Sequence, residues 1–294
     1  MPHEIQTAGL SRYQRPLARA ASAASRRARA LAAMRRWLEQ GLYSLYERHL
    51  LGQLHDGELP RHVGIILDGN RRFGRRRQIA DPHELYSMGA AKLDHVLNWC
   101  TALGIPAVTL WVCSTKNLQR SAQEVSGILA AIQDKLADLA TDPLVHQRQV
   151  RVRAAGRLNL LPASLRATIE AAEEATKGHD ALVLTIAVAY DGREELVDAL
   201  RSILRSTLSE TEDPGAAIDE ISADTVARHL YVPELPDPDL IIRTSGELRL
   251  SGFLLWQSAY SEFYFTEIDW PDFRKIDFLR AVRAYQNRKR RFGR

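Results

Sequence analysis

Two cysteines in 294 residues, Cys100 and Cys113, leave no material for a disulfide framework or a zinc site: they show no CxxC spacing and sit among apolar neighbours. Both are expected to be buried, reduced thiols. Long hydrophobic runs are missing as well. No stretch nears the roughly 20 apolar residues that span a bilayer, and the start lacks the charged-then-apolar order of a secretory signal. An intracellular, cytoplasmic protein is expected. The glycine-lysine signature of a P-loop is absent, which excludes a P-loop enzyme, and with neither zinc spacing nor an aromatic RNA-binding signature nucleic acid is not an expected partner.

What is present is enough to build a core: 45% of the residues are hydrophobic and 26% charged. The formal charge of +4 is unevenly spread, with Arg12, Arg15, Arg19, Arg26, Arg27, Arg29, Arg35 and Arg36 crowding the first forty residues. Residues 1–33 carry no sustained apolar period and read as a basic, poorly ordered arm. From Met34 onwards, Leu38, Leu42, Leu45, Tyr46, His49 and Leu50 fall on one side of a helix. Packing on the domain behind it, or peripheral contact with a membrane surface through the arm, are the readings open for this helix. The expected division is an arm and amphipathic helix over 1–57 and a compact domain over 58–294.

After the break at 57–60, the run from His62 to Leu67 reads as a strand buried on both faces. A helix marked by Leu93, Val96, Leu97 and Cys100 follows. Strands are then expected over 107–112, 150–155 and 181–189, alternating with helices over 125–139, 165–175 and 194–204. A last strand over 240–242 and a closing helix from Phe278 complete the series. The rhythm predicts an α/β domain with a mostly parallel central sheet flanked by helices.

Ligands of open parallel sheets bind beyond the carboxyl ends of the strands. Three loops fall there. Asp68-Gly69-Asn70-Arg71-Arg72-Phe73 joins a carboxylate, a flexible glycine, helix-opening amides and two guanidiniums, which is what a magnesium diphosphate requires. The loop over 114–120, Ser-Thr-Lys-Asn-Leu-Gln-Arg, adds hydroxyl, amide and guanidinium groups. In the third, 243–251, Arg243 and Arg249 flank a glycine turn and can face a second anion. Each loop alone reads as an ordinary turn; three at one rim make a site for two diphosphates.

These phrases, with Tyr190-Asp191-Gly192-Arg193, the runs over 242–257 and 259–265, Trp270-Pro271-Asp272-Phe273 and the terminal Arg291-Phe292-Gly293, resemble the cis-prenyltransferases, or undecaprenyl diphosphate synthase-like family, over residues 62–294. The runs over 86–89, 117–120 and 251–258, with the helix over 42–54, are most similar to actinobacterial short-chain Z-farnesyl diphosphate synthases. The resemblance implies condensation of isopentenyl diphosphate with an allylic diphosphate such as geranyl diphosphate, with Mg²⁺ as cofactor and an apolar tunnel for the growing chain. It implies catalytic roles for Asp68 and Asn117, and metal binding by Asp68 and Glu262. The residues it marks for substrate are Gly69, Asn70, Arg71, Arg72, Phe73, Tyr86, Ser114, Thr115, Lys116, Leu118, Arg120, Arg243, Arg249, Leu250 and Ser251. A homodimer is implied, with Arg291 and Gly293 reaching the neighbouring site.

Val112 stands where longer-chain relatives carry alanine, which leans towards a short product. Lys116, Tyr86, Thr185 and Asp191 depart from the family's usual glutamate, histidine, asparagine and glycine. A non-catalytic partner subunit would share the fold but lose the carboxylate and arginines, and all of them are present. A trans-type synthase would need aspartate-rich segments on an all-helical chain, and has neither here.

Overall fold

Five residues, His62–Ile66, form β1, and every one of them is buried. A strand buried on both faces must lie inside a sheet covered by helices on either side. β1 pairs in parallel with β2 (Ala107–Ser114) on one side and with β5 (Leu240–Arg243) on the other. β4 (Leu182–Tyr190) adds to β2, β3 (Val150–Ala155) to β4, and β6 (Glu262–Phe265) to β5, giving six parallel strands in the order β3-β4-β2-β1-β5-β6. The computed structural model describes residue 34 and residues 41–54, 57–210 and 214–288, without the side chains of 208–210, 214, 216 and 217.

The chain divides into two units, 1–52 and 53–294. Residues 41–54 are helical (α1), with Leu42, Tyr43 and Leu45 exposed. The expected basic arm lies outside the described residues. No helix among them is long and apolar enough to cross a membrane.

The helices that shape the site are α2 (Asn70–Arg77), α3 (Pro82–Leu103) and α4 (Ala122–Thr141). Their starts are encoded locally. Asp81 accepts from the backbone amides of His83 and Glu84 with Pro82 in the first turn, and Ser121 accepts from that of Glu124. In between, α5 (Pro143–Gln147) and α6 (Ala163–Thr176) flank β3; α7 (Gly192–Glu210) follows β4, and the short α8 (Pro214–Asp219) and α9 (Ala223–Arg228) lead to β5.

On one face of the sheet, Ile66, Ala187 and Ile241 pack with Tyr190, Phe253 and Leu254. Gly64 makes room for this, since a Cβ there would come 2.9 Å from the Phe253 ring. The closing helix, α10 (Lys275–Asn287), buries Phe278, Leu279, Val282 and Tyr285, and Gln286 donates to the carbonyls of Leu54 and Gly57. Both cysteines are free and buried, and burial raises their thiols to about 12 for Cys100 and about 11 for Cys113. At such values neither is a nucleophile at neutral pH.

β6 lies beyond the strand that the sequence marks as the last. Its four residues are half-buried at the sheet edge, too short and too mixed in exposure to announce themselves.

Candidate active site

Asp68 lies two residues past the end of β1, where the sheet's carboxyl rim opens. Its amide donates to the Thr244 hydroxyl at 2.9 Å, which ties the loop after β1 to the loop after β5. Gly69 turns the chain with φ +100°, and a Cβ at this position would come 2.4 Å from Asp269 Oδ1. Glycine is therefore required here by both conformation and space. The turn opens α2, which has no side-chain cap, so its first amides are left for a ligand.

Arg243, at the end of β5, is almost fully buried. Nη2 lies 2.7 Å from Asp68 Oδ2, and Nη1 donates to Ser251 Oγ at 2.9 Å and to the Arg249 carbonyl. The third loop is thereby locked onto the first. Arg72 reaches across as well, donating to the Ser245 carbonyl at 2.5 Å and pairing with Glu247 at 3.3 Å, while Arg249 holds the other oxygen of Glu247 at 2.5 Å.

The second loop is a 3-10 turn, Thr115–Gln119, closed by a reciprocal cap. Ser114 Oγ accepts from the Asn117 amide at 3.1 Å, and Asn117 Oδ1 accepts from the Ser114 amide at 2.9 Å. With its oxygen so committed, Asn117 offers a ligand its NH₂ group. Arg120 leaves this loop to donate to Glu124 at 2.8 Å and to the Tyr86 hydroxyl at 3.2 Å, and Tyr86 itself donates to Glu124 at 2.8 Å. Burial, then the neighbouring Glu124, raises the Tyr86 hydroxyl above its usual range, so it acts as a neutral donor.

A cavity of about 360 Å³ joins the three loops. Asp68, Gly69, Asn70, Arg71, Arg72, Tyr86, Ser114, Asn117, Arg120, Arg243, Arg249 and Ser251 all line it. Arg75 and Glu247 line it as well. Six guanidiniums (Arg71, Arg72, Arg75, Arg120, Arg243, Arg249) face two carboxylates (Asp68, Glu247), an excess of four positive charges that suits polyvalent anions. Deeper, Leu67 and Val112 are shared between this cavity and an apolar one of about 40 Å³ between the sheet, α3 and α4.

Several expected residues stand elsewhere. Phe73 is buried beneath Arg76 and Arg77 and anchors α2. Leu118 lines a separate groove with Val125 and Leu165, and Leu250 packs against the core around Phe253. Thr115 and Lys116 do not line the cavity, and Lys116 is exposed. Of the other departures, Asp191 accepts from the Arg193 amide at the start of α7, and the Thr185 hydroxyl is buried with no hydrogen-bond partner among the described residues.

Glu262 stands apart from the other marked residues of its own chain. It begins β6 level with Leu240, and so with Val63, whereas Asp68 lies five residues beyond Val63. At roughly 3.3 Å per residue the two are about 16 Å apart along the strands, so within one chain they do not share an ion. Glu262 pairs instead with Arg288. Arg291 and Gly293 lie outside the described residues. Among the described residues, no three His, Cys, Asp or Glu side chains gather into a metal site. Asp68, whose Oδ1 accepts from the Gly69 amide alone among the described residues, fits a different mode: a hard cation held by one carboxylate and by substrate phosphates, as magnesium often is.

The chain matches the prenyltransferase family model for undecaprenyl diphosphate synthase over residues 66–293. It is 49% identical to a tritrans,polycis-undecaprenyl-diphosphate synthase (geranylgeranyl-diphosphate specific) of Methanopyrus kandleri, with 86% of this chain and 92% of that one covered. An isoprenyl transferase of Thermus thermophilus is 48% identical, covering 87% and 97%. Among solved structures, lavandulyl diphosphate synthase from Lavandula x intermedia in complex with dimethylallyl diphosphate superposes with a TM-score of 0.73 at 34% identity, over 80% of this chain and 99% of that one.

Proposed function

We propose a specific reaction for this chain, which belongs to the undecaprenyl diphosphate synthase family of cis-prenyltransferases: condensation of isopentenyl diphosphate with an allylic diphosphate such as geranyl diphosphate, giving a short Z-prenyl diphosphate of the (2Z,6E)-farnesyl type. As a family member it is a transferase of prenyl groups. The short-product reading rests on one observation, the narrowing at Leu67 and Val112 from a cation-rich cavity into an apolar one of about 40 Å³. A tail entering there leaves water at a gain of about 0.8 kcal/mol per CH₂. Space for it then runs out.

Each part of the site has a task in this reading. The amides opening α2, with Arg71, Arg72 and Arg120, receive the charge that grows on the allylic diphosphate as its C1–O bond breaks. Arg243, Arg249 and Ser251 hold the diphosphate of isopentenyl diphosphate and aim its terminal alkene carbon at C1. The alkene electrons form the new carbon–carbon bond, and a proton leaves the adjacent carbon to set the Z double bond. Asn117, a neutral amide and a poor base, positions the alkene while a diphosphate oxygen takes the proton. Mg²⁺ held by Asp68 and diphosphate oxygens would supply further electrostatic stabilisation of the leaving group.

Purified protein given Mg²⁺, radiolabelled isopentenyl diphosphate and dimethylallyl or geranyl diphosphate should release a product about three isoprene units long. A ladder reaching ten or more units would instead establish the second reading, a long-chain synthase. That reading is favoured by the 49% identical relative named for undecaprenyl diphosphate. A homodimer belongs to the proposal, since Glu262 can meet an ion at Asp68 only from a second copy. The exposed Leu42 and Leu45 on α1 support contact of that segment with a membrane surface.

A further inference from the structure

The apolar cavity below Val112 has one member unsuited to hydrocarbon. Leu93 of α3 and Ile132, Leu136 and Leu139 of α4 are ordinary walls for a prenyl tail; Lys135, among them, is not. Its side chain is 14% exposed, and its ammonium lies 2.6 Å from Asp94 Oδ1 on α3, a carboxylate that is 46% exposed. The lysine thus turns its methylenes to the cavity and its charge towards water. The ion pair ties α3 to α4 where a longer tail would have to part them.

The depth of this tie is what gives it a role. α3 and α4 both start at the carboxyl rim of the sheet, where Tyr86 meets Glu124. Asp94 lies eight residues further along α3 and Lys135 eleven further along α4. At 1.5 Å per residue these are about 12 and 16 Å. An isoprene unit adds four chain carbons, about 5 Å when extended, from bonds of about 1.5 Å. About three units therefore fit between the rim and the tie. Resting on the short-product reading, the geometry points to Lys135, held by Asp94, as the stop that sets product length: a fourth unit would have to enter where the charged pair stands.

The test uses full-length protein, Mg²⁺, geranyl diphosphate and radiolabelled isopentenyl diphosphate, with products sized by chromatography. Lys135→Ala opens the wall, and Lys135→Met keeps the stem with no charge to hold it. Both should raise the share of products of four or more units at least tenfold, and Asp94→Asn should follow Lys135→Met. Asp134→Ala removes the neighbouring exposed contact with His83 between the same two helices and should leave the products unchanged. Unchanged products from Lys135→Ala, with melting temperature and turnover retained, overturn the proposal. So does equal lengthening by Asp134→Ala, which would reduce the pair to a general brace. Val112→Ala separates this failure from that of the reading beneath it: if it alone lengthens products, the short cavity stands without the stop, and if it too changes nothing, both fall.

Discussion

Arg243 is buried with only 6% of its side chain exposed, and the group that balances it is Asp68, 35% exposed. Stripping a counterion from a dry pair costs roughly 3–5 kcal/mol, and less where one partner is wet, as here. Asp68→Asn keeps an oxygen for Arg243 while losing the charge that a magnesium diphosphate needs. Its melting temperature should fall by no more than a few degrees, while its initial rate drops about 1000-fold, the scale expected when transition-state electrostatics are removed. A rate within tenfold of the parent would take Asp68 out of the chemistry. Most of this site is legible in the sequence because loops after buried strands are read as a class, and Asp68, Arg72, Asn117, Arg243 and Ser251 fall in them. Glu124, Arg75 and Glu247 are less visible, since they matter through partners brought in from other elements. The i,i+4 spacing of Arg120 and Glu124 is the one signal that points to the Tyr86–Arg120–Glu124 cluster.

Among the elements, strands that are apolar on both faces, such as β1 and β4, are legible from composition alone, whereas the edge strand β6 is not. α7 carries a feature that no periodicity reveals. Glu195, in its first turn, is buried and accepts from the Tyr190 hydroxyl at 2.5 Å, the Tyr231 amide at 3.1 Å and the Gln257 amide group. Burial outweighs these donors and raises its carboxyl above the usual 4.5. A group whose proton is held more tightly when folded favours the native state at low pH, and loses that contribution as pH rises through its folded value. Glu195→Gln cannot titrate. The parent should therefore gain in melting temperature relative to Glu195→Gln as pH falls from 7.5 towards 4.5. A difference constant across that range would mean that this carboxyl is not held protonated above its usual value.

At the scale of the whole molecule, the two carboxylates that the family resemblance marks for a metal lie far apart within one chain. Asp68 stands at the carboxyl rim and Glu262 at the opposite end of β6, on an edge strand whose Phe263 and Phe265 are only half-buried and beside the exposed Trp256 and Tyr260. An aromatic strand at the end of the sheet order invites a second copy. If Glu262 of the partner subunit serves Asp68, two inactive variants should repair each other. Coexpressed Asp68→Ala and Glu262→Ala chains would form mixed dimers in which one of the two sites has both carboxylates. With half of the dimers mixed and one of two sites intact in each, about a quarter of the parent activity should return, since a two-fold interface treats both copies alike. If Glu262 acts within its own chain, or only by holding Arg288, every site in the mixture lacks one carboxylate and coexpression recovers nothing above the single variants.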